Sequence, residues 1–238
     1  MTTVVWFKRD LRTRDHAPLV AAAALGEPVI PLYVIEDEYW QLPDTSGRQW
    51  AFIRDSLDDL DRQLRKSGSQ LMVLRGSMID ALKQIQAHQP INRIFCHQET
   101  GGQWTYERDR SVIDWCSENQ VEFREWNQFG VVRRLSDRDV WDRAWTELMC
   151  QPLLEAPTVI PTSDTLMALC PGYNGPAFEV PDDCPDRQIG GSARGEKLLT
   201  SFLDRRCVGY QYNISSPNTA ARACSRLSPH IAYGTVSL

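Results

Sequence analysis

The sequence predicts an α/β fold: a five-stranded parallel, Rossmann-like sheet with helices on both faces. Short runs rich in β-branched residues alternate with helical patterns over residues 1–126, and this alternation is typical of parallel strands joined by right-handed crossovers. After about residue 143 the pattern changes to a proline-rich stretch and then to new helical patterns. We therefore predict an α/β domain over 1–143, a long linker over 144–190, and the first helices of a truncated all-α domain over 191–238.

Five segments have the composition of buried strands. They are Val4–Phe7, Val29–Ile35, Gln70–Arg75, Arg93–His97 and Val121–Trp126. Because ligands of such sheets gather at the carboxyl ends of the strands, we expect functional residues at that edge.

The clearest helix lies between the second and third strands, in the segment RQWAFIRDSLDDLDRQLRKSG. Its apolar residues recur at steps of three and four, which places them on one helix face. They are Trp50, Ile53, Leu57, Leu60 and Leu64. Lys66 in the last turn and Gly68 beyond it are typical of a helix C-terminus. Further helical patterns occupy Ala17–Leu25 and the segments SMIDALKQIQAHQP and TYERDRSVIDWCSEN.

The predicted linker is rich in proline, since residues 151–190 contain seven of the fourteen prolines of the chain. This density disfavours both helix and central strand, and the length of the linker indicates that it wraps over a neighbouring domain. The next helix is predicted to start with Ser192 as its N-cap. On one face of this helix we expect Leu198, Leu199, Phe202 and Leu203.

Composition excludes several classes of protein. The net charge is −5 and the pI is near 5.4, so no overall positive field attracts nucleic acid. The N-terminus lacks the apolar core of a signal peptide, and no run approaches the roughly 18 apolar residues of a membrane span. The seven cysteines are scattered and never spaced as C-x-x-C, which is typical of reduced thiols. We expect a cytoplasmic protein without a bound metal, and a monomer.

Four motifs have ordinary structural interpretations. GGSARGEK (190–197) has the glycines of a phosphate loop, but Glu196 stands where that loop needs lysine, so we interpret it as a helix start. TGGQWTYERD opens a helix after a strand, which is typical of a ligand-binding backbone and equally of a tight turn. His97, at the end of the fourth strand, is interpreted as a structural histidine. The charged run FKRDLRTRDH either pins its loop to the domain behind it or forms a solvated turn, and the solvated turn is favoured.

The segment CSRLSPHIAYGTVS (224–237) has a different character. Ser225 and Ser228 offer hydroxyls, Pro229 fits the first turn of a helix, and the first N–H groups of that helix lack internal acceptors. Together they predict a cradle for a phosphate or pyrophosphate, with Arg226 adding charge. The alternative is that Ser228 only caps the helix.

Both ends of the chain resemble the DNA photolyase and cryptochrome family. VVWFKRDLRTRDHAPLVAA is similar to the family signature W-F-R-x-D-L-R-x-x-D-N-x-A-L, and SRLSPHIAYGTVS resembles the segment T-S-x-L-S-P-x-L-x-x-G-x-x-S. The two segments lie roughly as far apart as the family requires, with a proline-bearing connector between them. The resemblance covers all 238 residues and corresponds to the first half of a family member.

The resemblance implies an FAD-dependent DNA photolyase, whose reduced flavin is excited by blue light and passes an electron to a pyrimidine dimer in damaged DNA. The α/β domain of the family often holds a light-harvesting antenna chromophore, a pterin (folate) or a deazaflavin. The flavin-binding residues implied here are Tyr210 or Tyr212, together with Cys224, Ser225, Arg226, Leu227 and Ser228. Glu107 is the implied contact of a pterin. No catalytic residue is assigned.

Three positions depart from the family pattern. Cys224 replaces a threonine and is a weaker hydrogen-bond donor. His16 replaces the asparagine of the N-terminal signature. Tyr106 replaces the asparagine of the N-E-R motif found in folate-binding members, which weakens the case for a folate antenna.

Two other functions stay open from the sequence. One is a cryptochrome, a blue-light photoreceptor without repair activity, and the other is a standalone nucleotide- or pterin-binding α/β module. The residues that distinguish repair from signalling are expected beyond residue 238. We therefore expect a truncated form with an incomplete flavin site, inactive alone and poor at binding FAD.

Overall fold

Five parallel strands form the sheet of the computed structural model, which describes residues 1–133, 135–163, 165, 168 and 184–238. The strands are β1 (Thr3–Trp6), β2 (Val29–Ile35), β3 (Met72–Arg75), β4 (Arg93–His97) and β5 (Glu122–Trp126). Their order is β3-β2-β1-β4-β5. β1 is central, and its Val4 pairs with Ile30 of β2 and with Ile94 of β4. The predicted parallel, Rossmann-like sheet is confirmed.

Helices connect the strands and continue beyond them. They are α1 (Ala17–Ala24), α2 (Gly47–Lys66), α3 (Met78–His88), α4 (Gln103–Glu118), α5 (Trp141–Met149), α6 (Ser192–Asp204), α7 (Tyr210–Asn213), α8 (Pro217–Ala223) and α9 (Ser228–Ala232). Each of α1 to α4 joins one strand to the next, as the sequence predicts. Within the described ranges, no helix combines the length and the apolar character that a membrane span requires.

Alternation along β1 directs its side chains to the two faces of the sheet. Val4 and Trp6 lie in a core with side chains of α3 and α4, whereas Val5 and Phe7 lie in a second core with side chains of α1 and α2. Each fully buried apolar side chain stabilises the fold by about 1.5–3 kcal/mol relative to an exposed one. Both faces of the sheet are covered, so its carboxyl edge is the natural position for a site.

The chain after β5 returns over the α/β domain. α5 crosses the predicted boundary at residue 143, so the irregular part of the linker begins after this helix. Ile160 is buried in the core beside α2, and its N–H donates to the carbonyl of Ser67 at 2.8 Å. This part of the linker wraps over the domain, as its length predicts. Most of residues 164–183, with three of the seven linker prolines, lies outside the described residues.

α6 begins at Ser192, but the serine does not cap it. The cap position is Gly191, whose φ of 101° favours glycine, and the Ser192 hydroxyl instead contacts Gln63 and the carbonyl of Leu11. Side chains of α2 accept the N–H groups of this helix start. The acceptors are Asp55 for Gly190, Ser56 for Gly191 and Asp59 for Ala193. The predicted N-cap is therefore wrong, and the interpretation of GGSARGEK as a helix start is confirmed.

The region from α6 to α9 is less buried than the α/β domain. Leu198, Leu199 and Phe202 of α6 are half-buried, as predicted for one face of the helix. Leu203 is 62% exposed, so its predicted place on that face is wrong. α9 spans only five residues.

Candidate functional site

The loop after β1 (residues 8–16) folds around one buried carboxylate, Asp10. Oδ2 of Asp10 lies 2.8 Å from Nε2 of His16 and 2.8 Å from Nδ1 of His97. Its other oxygen accepts the N–H of Lys8 at 2.7 Å. Burial opposes the charge of Asp10, but the two histidines outweigh it and hold the pKa of this carboxyl well below its ordinary value. Asp10 therefore stays ionised in a buried position.

His16 is held in one tautomer. The N–H of Leu19 donates to Nδ1 of His16 at 3.1 Å, so the ring proton is on Nε2 and is donated to Asp10. Burial lowers the pKa of His16, and burial together with repulsion from His16 lowers the pKa of His97 to about 4. Among the described residues, Asp10, His16 and His97 form the one group with the composition of a metal site. Because both ring nitrogens of His16 are used in hydrogen bonds, we interpret the group as a hydrogen-bonded cluster.

The charged loop is not a solvated turn, so that prediction is wrong. Asp10, Arg12 and His16 are all buried. The guanidinium of Arg12 donates to the carbonyl of Asp15 at 2.9 and 3.1 Å. It also donates at 3.0 Å to the carbonyl of Gly234, which lies 222 positions further along the chain. The burial of these charges depends on partners that are remote in sequence.

The C-terminal segment closes onto the same loop. The carbonyl of Tyr233 accepts the N–H of Leu11 at 3.1 Å. Gly234 has a φ of 61°, and a Cβ at this position would lie 2.2 Å from the carbonyl oxygen of Arg9. Only glycine fits this close approach of two backbones. The two signature segments from opposite ends of the sequence therefore form one packed junction.

The predicted phosphate-binding residues 224–228 form a turn in front of α9, which we call the C-terminal turn. Arg226 has a φ of 63°, which is uncommon for a residue with a side chain. The N–H of Leu227 donates to Oγ of Ser225 at 3.4 Å. Ser228 is the exposed first residue of α9 and its side chain makes no capping hydrogen bond, so the capping alternative is wrong. The dipole of so short a helix is a minor attraction for an anion, and hydroxyls and cations must supply the rest.

Arg206, which sequence analysis did not single out, holds the C-terminal turn in place. Its guanidinium donates to Oγ of Ser201 at 3.1 Å and to the carbonyl of Leu198 at 2.7 Å. It also donates to the carbonyl of Cys224 and, at 3.4 Å, to that of Ser225. All four acceptors are neutral, and no carboxylate of the described residues forms an ion pair with Arg206. Its positive charge is therefore uncompensated beside the turn. No motif marks this arginine, because most of its partners are backbone carbonyls.

The other predicted site residues are Tyr210, Tyr212 and Glu107, and they lie in different surroundings. Tyr210 packs edge-on against Phe202 with ring centres 5.7 Å apart and is 37% exposed, whereas Tyr212 is 80% exposed. Glu107 lies on the exposed face of α4, where it accepts a hydrogen bond from Gln103 at 2.6 Å. The structure thus brings residues 224–228 together and leaves Glu107 on the α/β domain. The flavin and pterin roles of these residues stay predictions.

A second group of charges lies at the carboxyl edge of the sheet, and we call it the crevice cluster. Its members are Lys8, Arg9, Glu36, Glu99, Arg108 and Asp109. The sequence predicts functional residues at this edge, but no sequence motif indicates any of these pairs. They join residues up to 101 positions apart, and no local pattern reports such pairing.

The sequence matches the family described as DNA photolyase over residues 3–133, which is more than half of the chain. The chain belongs to the DNA photolyase family. The resemblance inferred from the two signature segments is therefore confirmed.

Photolyases and cryptochromes both occur among the similar proteins. The chain is 27% identical over 255 residues to the deoxyribodipyrimidine photo-lyase of Streptomyces griseus, covering 98% of this chain and 53% of the relative. It is 26% identical to Cryptochrome-1 of Arabidopsis thaliana, covering 99% of this chain and 36% of the relative. A solved class III photolyase from Agrobacterium tumefaciens shares the fold, with a TM-score of 0.76 and 23% identity over 99% of this chain and 51% of that one. The chain spans about half, or less, of the length of these relatives.

Proposed function

We propose that this chain forms the α/β domain and the first part of the flavin-binding domain of an FAD-dependent DNA photolyase, which repairs pyrimidine dimers under blue light. The observation that carries the proposal is the junction between the loop after β1 and residues 233–234, because it joins the two segments that resemble the family signature. The match of a photolyase to 98% of this chain supports the same proposal. The partner is damaged DNA.

FAD is the cofactor that the family implies, and the C-terminal turn fits the phosphates of FAD. Ser225 and Ser228 offer hydroxyl donors, and Arg206 adds a positive charge without a carboxylate partner. Cys224 is a weaker donor than the threonine of the family, so Arg206 and the serines carry more of the phosphate binding here. When bound and reduced, the flavin supplies the electron that splits the dimer after absorbing blue light.

In this proposal the residues of the chain bind and orient the cofactor. Arg206 fixes the carbonyls of Cys224 and Ser225, and this contact holds the turn against α6. The cluster around Asp10 fixes the loop that contacts the end of α9. We assign no proton or electron transfer to the described residues. We also propose a cytoplasmic location, because the six cysteines in the described part of the chain are free.

A repair assay tests this proposal. Protein that contains this chain, loaded with FAD and reduced, should restore a dimer-containing oligonucleotide in blue light and leave it unchanged in the dark. Replacing both serines, Ser225→Ala with Ser228→Ala, should weaken FAD binding by about tenfold or more, since two hydroxyl contacts are lost. The matched control is Thr200→Ala, which removes an exposed hydroxyl of α6 and should leave FAD binding unchanged.

A cryptochrome is the second candidate, because Cryptochrome-1 of Arabidopsis thaliana matches 99% of this chain. A cryptochrome would hold the same cofactor in the same turn without repairing DNA. Bound FAD with no repair of either cyclobutane or (6-4) dimers would therefore favour this candidate. Repair of either lesion would exclude it.

A further inference from the structure

The carboxyl edge of the sheet is the usual ligand position in a Rossmann-like fold, and the crevice cluster occupies it in this chain. The crevice lies at the ends of β1, β2 and β4, and its walls include the rings of Trp6, Tyr39 and Trp40. Aromatic walls of this kind suit a flat chromophore. The family implies such a chromophore in the α/β domain, a light-harvesting pterin or deazaflavin, and the residues of the crevice decide whether it fits there.

The charges of the crevice cluster neutralise one another. The cations are Lys8, Arg9 and Arg108, and the carboxylates are Glu36, Glu99 and Asp109. Arg108 is the hub, since its guanidinium lies 2.9 Å from Glu36, 2.5 Å from Glu99 and 2.8 Å from Asp109. Lys8 pairs with Asp109 at 3.0 Å. No net charge is left over for an ionic ligand.

Two of the cations also cover one aromatic wall of the crevice, the Trp6 ring. Nζ of Lys8 lies 4.4 Å from the centre of the Trp6 ring, and the guanidinium carbon of Arg108 lies 4.8 Å from it. Arg108 is also 5.6 Å from the centre of the Trp104 ring. Arg9 donates to the hydroxyl of Tyr39 at 3.0 Å. The protein's own cations thus lie over the Trp6 ring, where a chromophore would otherwise stack.

The crevice cluster leaves neither a fully buried polar atom without a partner nor the space for a chromophore. The fully buried side-chain nitrogen and oxygen atoms without a partner in the described ranges belong to Thr3, Glu125, Gln188 and His230, and none of these is in the crevice cluster. The open space in the crevice is about 40 Å³. A cavity of this size holds a few waters, whereas ligand pockets start at roughly 300 Å³.

We infer that the crevice cluster closes this site, and that the chain holds no light-harvesting chromophore in the crevice. A ring system could enter only by displacing Arg108, which would leave Glu36 and Glu99 buried without their shared partner. Removing one member of a buried ion pair is strongly unfavourable. The residues that line the crevice do not fit the antenna that the family implies. This inference does not depend on the proposed function.

Titration with ring systems tests the inference directly. Lumiflavin represents the flavin and deazaflavin tricycle, and methenyltetrahydrofolate represents the pterin. Because lumiflavin carries no phosphate, its binding reports on the crevice and not on the C-terminal turn. We expect no saturable quenching of tryptophan fluorescence that depends on Tyr39 by either probe up to about 100 μM. One-to-one binding that is lost in the Tyr39→Ala variant would overturn the inference.

A double variant tests whether the crevice cluster is the barrier. Glu36→Gln with Arg108→Ala removes the hub and one carboxylate together, so two cations and two carboxylates remain in balance. The single variant Glu36→Gln serves as the control, and circular dichroism checks the fold of both. We expect the double variant to gain saturable lumiflavin binding, at least about tenfold tighter than the unchanged chain. A double variant that folds but gains no lumiflavin binding would overturn the role of the crevice cluster as the barrier. If the double variant does not fold, the titration of the unchanged chain with the two probes decides whether the crevice is closed.

Discussion

The crevice cluster and the C-terminal turn both contain arginine, but they differ in how the arginines are partnered. Arg108 contacts three carboxylates in a crevice with about 40 Å³ of free space. The hydrogen bonds of Arg206 go only to neutral oxygens, and Ser228 in the turn is exposed to solvent. A cation whose charge is already balanced is a structural element, whereas an uncompensated one is available for a phosphate. The presence of basic residues therefore does not identify a ligand site, and their partners do.

The largest effect is expected in the crevice cluster. Arg108→Met should lower the free energy of unfolding by about 3–5 kcal/mol, since three buried carboxylates lose a partner. Urea denaturation at pH 7 measures this change. Arg62→Met is the control, because the side chain of Arg62 is 70% exposed and its ion pair with Asp59 should contribute less than about 1 kcal/mol. Equal losses of unfolding free energy in the two variants would show that the crevice cluster stabilises the fold no more than a surface ion pair does.

A pH titration tests the loop after β1, because His97, which contacts Asp10 of that loop, is a buried titratable group. Burial and repulsion from His16 lower the pKa of His97 to about 4 in the folded chain, whereas an unfolded histidine titrates near 6.5. Between these values the unfolded chain binds more protons, so stability falls as the pH falls. We expect His97 to account for a loss of about 2 kcal/mol between pH 7 and pH 5.

Urea midpoints at the two pH values measure this loss. His97→Gln should remove the contribution of His97 to this loss, so that the free energy of unfolding changes less between pH 7 and pH 5. His88→Gln, which changes an exposed histidine at the end of α3, should leave the profile as it is. A profile that is unchanged by His97→Gln would contradict the assignment of His97 as a buried neutral ring.

At the C-terminal turn the effect is expected on binding more than on stability. Arg206→Met should weaken FAD binding by about tenfold, or about 1.4 kcal/mol, because both the charge and the anchoring of the turn are lost. Arg206→Lys should restore part of the binding, since it keeps the charge but not the fork of donors. Arg205→Met, in the exposed neighbouring residue, is the matched control. Flavin fluorescence titrations of the three variants measure their affinity for FAD, and an unchanged affinity in Arg206→Met would contradict the role of Arg206 in binding the flavin.

The smallest effect is expected at the junction, for His16→Asn. An asparagine side chain also combines one acceptor, for the N–H of Leu19, with one donor, for Asp10. The change should therefore cost less than about 1 kcal/mol of unfolding free energy, whereas His16→Leu leaves Asp10 without a donor and should cost about 2 kcal/mol or more. Urea denaturation compares the two, and a similar loss in both variants would contradict the replacement of both His16 hydrogen bonds by asparagine.

The sequence predicted the parts of the molecule that depend on local pattern. All five strands lie within two residues of their predicted starts, because β-branched runs and neighbouring helical periodicity are local signals. The loop after β1 was predicted wrongly, since the burial of Asp10 and Arg12 depends on His97 and Gly234. Arg206 was missed for the same reason. Sequence pattern marks the residue types of a site, but only tertiary contacts show which charges are already neutralised.

The most direct measurement compares FAD with lumiflavin on the same protein. We predict that FAD binds at least about tenfold tighter than lumiflavin, because the C-terminal turn binds its phosphates and the crevice is closed to its ring. The Ser225→Ala with Ser228→Ala variant should lose this preference. Equal affinity for the two compounds would contradict phosphate binding at the C-terminal turn, and lumiflavin binding in the crevice would contradict its closure.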